Sequence, residues 1–250
     1  MILNYRVQLD QIVQKAFSIF KFVREGIGDY IFPKNCFGCR QEGEYLCSAC
    51  FNKIEYLNDL VCFLCHRIDF KNGICPDCAQ SSCIDQIVVA TAYTDNFVGR
   101  QVEGLKYDFV EELSEPLAKI LIEQINRQNL AETVRRSMIV PIPLHRKRLI
   151  ERGFNQAEAL AKLIAMKYDN QVEIRLLRRS KETAQQAKLS RSERRENVQG
   201  AFMVEARKTM PETVILIDDV LTTGATFMEA AKCLKSAGVS KVICLAVCHG

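Results

Sequence analysis

The chain has 250 residues, 48% of them apolar and 26% charged, and a formal net charge of +4. That balance fits a globular protein with one good-sized domain and a smaller one, and it excludes a disordered or low-complexity chain. No apolar run in it approaches the roughly 18 to 20 residues that a membrane-spanning helix requires.

In the N-terminal segment Ile12, Val13, Phe17, Ile19, Phe20 and Val23 recur at helical spacing, and Lys15, Lys21 and Arg24 interrupt them. The pattern predicts an amphipathic helix within residues 1–35, docked on the body of the protein, rather than a signal peptide. A cytoplasmic protein is therefore expected.

Eight of the twelve cysteines come next as four CxxC pairs: Cys36/Cys39, Cys47/Cys50, Cys62/Cys65 and Cys75/Cys78. A CxxC turn brings two thiolates to one tetrahedral Zn2+, and a second pair closes the site. Four pairs make two structural sites with no open position for catalysis. A disulfide framework is the other reading, and a cytoplasmic setting disfavours it. Sequential pairing is preferred, with Cys36, Cys39, Cys47 and Cys50 on one ion and Cys62, Cys65, Cys75 and Cys78 on the other. A cross-brace is the alternative, and His66 is a possible substitute ligand. The expected unit is a small double zinc ribbon over residues 36–83, too short to bury a core without metal. Cys83 reads as a spare, and Cys233, Cys244 and Cys248 as core residues.

From residue 84 to residue 250 the pattern becomes α/β. IVVATAY, ending at Tyr93, reads as a strand, and Val98, Val102 and Leu105 suggest a helix ending at GLKY. Pro116 opens a helix carrying Leu117, Ile120, Leu121 and Ile125 inward. Ser137 to Pro143 reads as a second buried strand and Phe154 to Tyr168 as a helix. Val214 to Ile217 is a third buried strand. A helix through Phe227 and Leu234, stopped by Gly238, and a strand from Val242 to Val247 follow. Such alternation implies a mostly parallel sheet with helices on both faces.

Charge is unevenly spread. From Arg135 to Arg195 there are sixteen Lys or Arg against six Asp or Glu, whereas from Cys36 to Cys83 there are four against six. A polyanionic partner therefore belongs to the middle of the chain.

The stretch VILIDDVLTTGATFMEAAKCL, Val214 to Leu234, carries the chemistry. In an open parallel sheet, ligands bind beyond the carboxyl ends of the strands. Gly224 permits a tight turn, and the first amides of the next helix point outward at the positive end of its dipole. Thr222, Thr223 and Thr226 add hydroxyl donors, which completes a phosphate cradle. It is neither a Walker motif nor a dinucleotide fingerprint. Asp218 and Asp219 repel each other and need donors, and the two adjacent hydroxyls of a ribose would supply them. A phosphate near a ribose diol describes a 5-phosphoribosyl group. A capping turn with two solvated aspartates is the plainer reading.

These residues resemble the signature of type I phosphoribosyltransferases, which bind 5-phosphoribosyl-1-pyrophosphate (PRPP). With GLKY, VPIPLHRKRLIERGFNQAEALA and RRSKETAQQAKLSRSERRENVQGAF, in that order behind the cysteine pairs, the whole chain resembles the ComF family of competence proteins. The resemblance implies that Asp218 and Asp219 hold the ribose hydroxyls, directly or through Mg2+. Thr222, Thr223, Gly224, Ala225 and Thr226 would hold the 5-phosphate. Arg146, Lys147, Arg148 and Arg152 would form the pyrophosphate loop. Arg178 to Arg195 would be the closing hood, with Arg179, Lys181, Thr183 and Gln186 at its polar positions.

No acceptor pocket is legible, so catalytic residues stay unassigned and PRPP binding is better supported than transfer. Two functions follow. One is a protein of DNA uptake that binds PRPP and is a candidate for binding single-stranded DNA through its basic loops, with the ribbons available to partner proteins of the competence machinery. The other is a metabolic phosphoribosyltransferase acting on a small nitrogenous acceptor.

Overall fold

A computed structural model describes residues 33–57, 61–68, 70–93, 97–107, 110–181, 193 and 197–250. The helix expected within residues 1–35 lies almost wholly outside them. Two compact units divide the chain, Met1–Asn52 and Lys53–Gly250.

The first unit contains one cysteine cluster. Asn35 bridges Glu42, and Arg40 adopts φ 65°, so the chain turns back sharply just past Cys39. Cys47 then begins the short helix α1 (Ser48–Phe51) as its N-cap, which brings Cys50 round to the same side. The sulfurs of Cys36, Cys39, Cys47 and Cys50 all lie within 4.8 Å of one another.

The second unit repeats this device. Val61 bridges Ile68, His66 takes φ 62° just past Cys65, and Cys75 N-caps helix α2 (Pro76–Ser82). Cys62, Cys65, Cys75 and Cys78 again lie within 4.8 Å. Pairing is sequential in both clusters, so the cross-brace is not formed. His66 is no part of either set; its ring meets the edge of His249 at 5.7 Å.

Four sulfurs about 2.3 Å from a tetrahedral zinc stand about 3.8 Å apart. Cys36–Cys47 and Cys39–Cys47 are each 3.6 Å apart, and Cys65–Cys75 is 3.7 Å. Both clusters therefore fit zinc. Such a site carries a net charge of −2, and part of it is answered from outside the ligand set. Arg67 donates to Cys75 Sγ at 3.1 Å and to Cys65 Sγ at 3.5 Å while bonding Asp77 at 2.7 Å. These bonds to Arg67 bring the Cys65 thiol down to about 6, favouring the thiolate.

The remainder of the second unit is α/β. Strands β1 (Gln86–Ala92), β2 (Met138–Pro141), β5 (Thr213–Leu221) and β6 (Lys241–His249) form a parallel sheet in the order β1-β6-β5-β2. Val214, Ile215, Leu216 and Ile217 run through its interior at 1% exposure or less. Each contributes about 1.5–3 kcal/mol by burial. Helices α3 (Phe97–Tyr107), α4 (Ser114–Arg127) and α5 (Ala131–Arg136) carry the chain from β1 to the far edge of the sheet.

In α4 the residues Leu117, Ile120, Leu121 and Ile125 are fully buried, as their spacing predicts. Pro116 falls in the first turn, where a missing N–H removes no helical bond. After β2 come α6 (Arg146–Arg152) and α7 (Gln156–Lys167), the latter capped by Asn155 Oδ1 accepting from the Ala157 amide. A separate hairpin, β3 (Leu177–Arg179) with β4 (Phe202–Val204), precedes β5, and α8 (Ala225–Ser236) joins β5 to β6.

The second cysteine cluster shares this core. Cys62, Phe63, Leu64, Ile74 and Cys75 pack in one apolar cluster with Ile87, Leu221, Phe227 and Cys244. Leu57 donates its amide to Ala90, and Gln124 donates to both Leu57 and Val89 carbonyls at 2.7 and 3.1 Å. Among the described residues no helix is long and apolar enough to cross a membrane.

The two zinc sites should therefore respond differently to ligand loss. Metal analysis of the purified protein should give two zinc ions per chain. Cys47→Ser should remove one and leave the melting of the Lys53–Gly250 unit unchanged. Cys75→Ser should also remove one but lower that melting temperature by several degrees, an expected loss of about 2–5 kcal/mol.

Candidate functional site

A cleft of about 370 Å³ opens at the carboxyl end of the sheet, lined from β5, the β5–α8 turn, α3, α6 and β3. Strand β5 runs further than its apolar stretch. Asp218 pairs with Ala246 and Leu221 with His249, so both aspartates are held in the ladder. Alternation sends their side chains to different environments.

Asp219 is 3% exposed and pairs with Lys106 Nζ at 3.1 Å, while its Oδ2 is buried with no hydrogen-bond partner. Asp218 keeps part of its surface open and accepts from the Asp219 amide through Oδ1 at 2.9 Å. Burial, then the neighbouring Asp219 charge, pushes the Asp218 carboxyl up from 3.8 to about 8. The two adjacent carboxylates thus differ: one is held by an ammonium, the other is readily protonated. Lys106, from GLKY, is the residue that the motif reading left without a role. Its place beside Asp219 is visible only once α3 crosses the end of β5.

Beyond Leu221 the chain turns through Thr222, Thr223 and Gly224 into α8. Gly224 is the N-cap, at φ 73°, ψ 0°, and offers no side chain to the first helical amides. Thr223 Oγ1 accepts from the Ala225 amide at 3.4 Å. Thr222, Gly224, Ala225 and Thr226 line the cleft.

The basic cluster after β2 is a helix rather than an open loop. RKRLIER consists mostly of good helix formers, His145 Nδ1 accepts from the Lys147 amide at 3.4 Å, and Gly153 at φ 79° stops it. Helical spacing then divides its charges. Arg148 and Arg152, four residues apart, line the cleft, whereas Arg146 and Lys147 are exposed outside its lining.

Arg179, at the end of β3, also lines the cleft, with its guanidinium 5.4 Å from the Phe202 ring. Burial and then the nearby Arg148 charge lower its pKa, and Asp218 partly opposes them. Lys181 is exposed, and Thr183 and Gln186 lie outside the described residues. A second residue missed by motif is Gln156, in GFNQ. It lines the cleft at 5% exposure, and its Oε1 is buried without a partner.

The cleft is therefore lined by two carboxylates, a helix N-terminus and three guanidinium groups, those of Arg148, Arg152 and Arg179. Its buried orphan acceptors, Asp219 Oδ2 and Gln156 Oε1, call for hydroxyl or metal-bound donors.

A parallel sheet with this edge, in a chain with two four-cysteine zinc sites, defines a zinc-ribbon protein with a phosphoribosyltransferase-type domain. The family model for the double zinc ribbon domain matches residues 27–79, and that for the phosphoribosyl transferase domain matches residues 149–250. The chain is 30% identical to the competence protein ComFC of Streptococcus pneumoniae over 81% of its own length and 87% of the relative's. It is 28% identical to competence protein F of Haemophilus influenzae, over 69% and 88% respectively. It is 26% identical to the DNA utilization protein YhgH of Escherichia coli K12, over 87% and 97%. The chain belongs to the ComF family of competence proteins.

The unequal aspartates give a prediction with a definite sign. A carboxyl whose folded-state pKa stands above its unfolded value binds its proton more tightly when folded, so stability falls as pH rises between the two values. Asp218→Asn should therefore gain on the parent protein in urea denaturation as pH is raised from 5 to 8. Asp219→Asn strands Lys106 and should lose about 1–3 kcal/mol at neutral pH. Equal effects of the two substitutions would contradict the assignment.

Proposed function

We propose that the cleft binds PRPP with Mg2+, and that the protein uses this ligand in the handling of incoming DNA. The observation that carries the reading is the conjunction, in one cleft, of a carboxylate pair at the end of β5, a glycine turn feeding a helix N-terminus, and the guanidinium groups of Arg148, Arg152 and Arg179.

Each part has a task. Asp219, paired with Lys106, keeps a buried oxygen without a hydrogen-bond partner and can accept from a ribose hydroxyl or from water on Mg2+. Asp218 gives up its proton to do the same. Thr222, Thr223 and Thr226 and the first amides of α8 suit the 5-phosphate. Arg148, Arg152 and Arg179 would neutralise the pyrophosphate, the strongest concentration of charge on the ligand. Mg2+, when bound, would lower the charge of the leaving pyrophosphate. Lys181, Thr183 and Gln186 remain candidates for closing over the ligand, and Arg146 and Lys147 for attracting it.

The relatives named competence protein and DNA utilization protein support a role with DNA. The surplus of positive charge between Arg135 and Arg195 supports single-stranded DNA on the same face, with phosphate contacts dominating. Phe37 and Tyr45, partly exposed with ring centroids 6.3 Å apart in the first ribbon, are candidate contacts for a protein of the uptake machinery.

Titration calorimetry should show saturable binding of PRPP in the presence of Mg2+. Asp218→Asn combined with Asp219→Asn should weaken it at least tenfold in a protein that still melts cooperatively. Unchanged affinity would refute the site. A pyrophosphate-release assay over nucleobase and amine acceptors then separates transfer from binding alone.

Single-stranded DNA binding, followed by fluorescence anisotropy at fixed salt, should weaken when Mg-PRPP is saturating. It should also weaken uniformly across sequences in Arg146→Ala with Lys147→Ala. DNA affinity indifferent to PRPP would move the nucleic acid to another face.

A further inference from the structure

The second zinc knuckle does more than stabilise its own ribbon. Its two residues between ligands, Phe63 and Leu64, are 6% and 5% exposed, and both press on the carboxyl edge of the sheet. Phe63 packs its ring 5.3 Å from that of His249, and its carbonyl lies 3.3 Å from His249 Nε2. His249 ends β6 and pairs with Leu221, the last residue of β5. Leu64 reaches the turn that follows. A Cβ built on Gly224 would stand 2.3 Å from Leu64 Cδ2, so the backbone of Gly224 lies directly against this leucine.

Gly224 is thus constrained twice. Its φ of 73° suits glycine, and the Leu64 methyl occupies the space where any side chain would go. Leu64 therefore bears on the turn at Gly224. Leu64 is in turn fixed by the two cysteines that flank it within two residues, Cys62 and Cys65, both belonging to the second cluster. A side chain locked between two ligands of one ion has little freedom to shift. Leu64 and Gly224 both belong to the unit Lys53–Gly250.

We propose that Leu64 is a positioning residue for the phosphate-binding turn, and that the second zinc site thereby sets the affinity of the cleft for the 5-phosphate end of its ligand. The proposal rests on the PRPP reading above for the ligand's identity, but the mechanical link between Leu64 and the turn can be measured without it. Loosening Leu64 should widen the range of conformations of Thr222 to Ala225. A displacement of an ångström in a preorganised anion site is enough to cost an order of magnitude in binding.

The test uses the full chain carrying Leu64→Ala, with Leu46→Ala in the first ribbon as the control, since Leu46 is likewise buried. Metal analysis must give two zinc ions in parent and both variants. If Leu64→Ala loses zinc, Leu64→Val, which keeps a branched side chain, is measured in its place. Ribose 5-phosphate and inorganic pyrophosphate serve as separate probes of the turn and of the arginine wall. Leu64→Ala should weaken ribose 5-phosphate about tenfold and leave pyrophosphate unchanged. It should also speed hydrogen exchange at the amides of residues 222–226, with the control matching the parent in both respects. Equal loss for both probes would indicate general destabilisation and overturn the proposal, as would unchanged exchange at the turn. If the parent binds neither PRPP nor ribose 5-phosphate, the functional reading falls, while the exchange comparison still decides whether Leu64 holds the turn.

Discussion

Four consecutive apolar residues, Val214 to Ile217, must be covered on both faces, and the rest of the second unit follows from that constraint. β5 is flanked by β6 and β2, with α7 against it and Phe227 and Leu234 of α8 in the same apolar cluster, and the apolar stretch is removed from water. A strand buried this completely is rigid. It continues in register for four residues past the apolar stretch, to Leu221, so Asp218 and Asp219 are fixed by the ladder itself. The cost of two neighbouring carboxylates at that place is met unequally, by Lys106 for one and by proton uptake for the other. The functional edge is therefore a consequence of how the core is closed.

Zinc enters this arrangement in two ways. Both cysteine clusters use the same local geometry: a left-handed residue just past the second cysteine and a helix capped by the third. Their surroundings differ. The first has little beyond its metal to hold it, since Cys36, Leu46, Cys47 and Cys50 are its only buried apolar residues among those described. The second contributes Phe63, Leu64 and Ile74 to the α/β core, so its metal also braces the larger fold. Two copies of one small metal motif thus have different mechanical roles. The Arg67 bonds to Cys65 and Cys75 belong to the second copy.

The cleft has a polar logic that a list of its charges would not convey. Arg148 and Arg152 reach it because helix α6 places residues four apart on one face. Arg146 and Lys147 are turned outward by the same geometry. Gln156 and Asp219 each keep a buried oxygen without a donor, a cost of about 1–3 kcal/mol apiece that a hydroxyl-bearing ligand would relieve. Binding sites store such deficits, because a fully satisfied pocket would have less to gain from its ligand.

The sequence by itself determined the parallel α/β class, the buried strands and the four CxxC pairs, while the structure decided for sequential pairing over the cross-brace. Each is written in local patterns: runs of branched apolar residues, helical spacing, and pairs of thiols with two residues between them. The turn at Gly224 was legible for the same reason, since a glycine between a strand and a helix is a local signal. The helix at Arg146–Arg152 was not read as such, because its short charged sequence has no buried face to mark it. Only the tertiary structure brought Lys106 to Asp219, across more than a hundred residues of chain. It alone seated Leu64 of the zinc knuckle against Gly224. Both contacts depend on which elements cross at the carboxyl edge of the sheet, and that crossing is set by the burial of the whole core rather than by any segment of it.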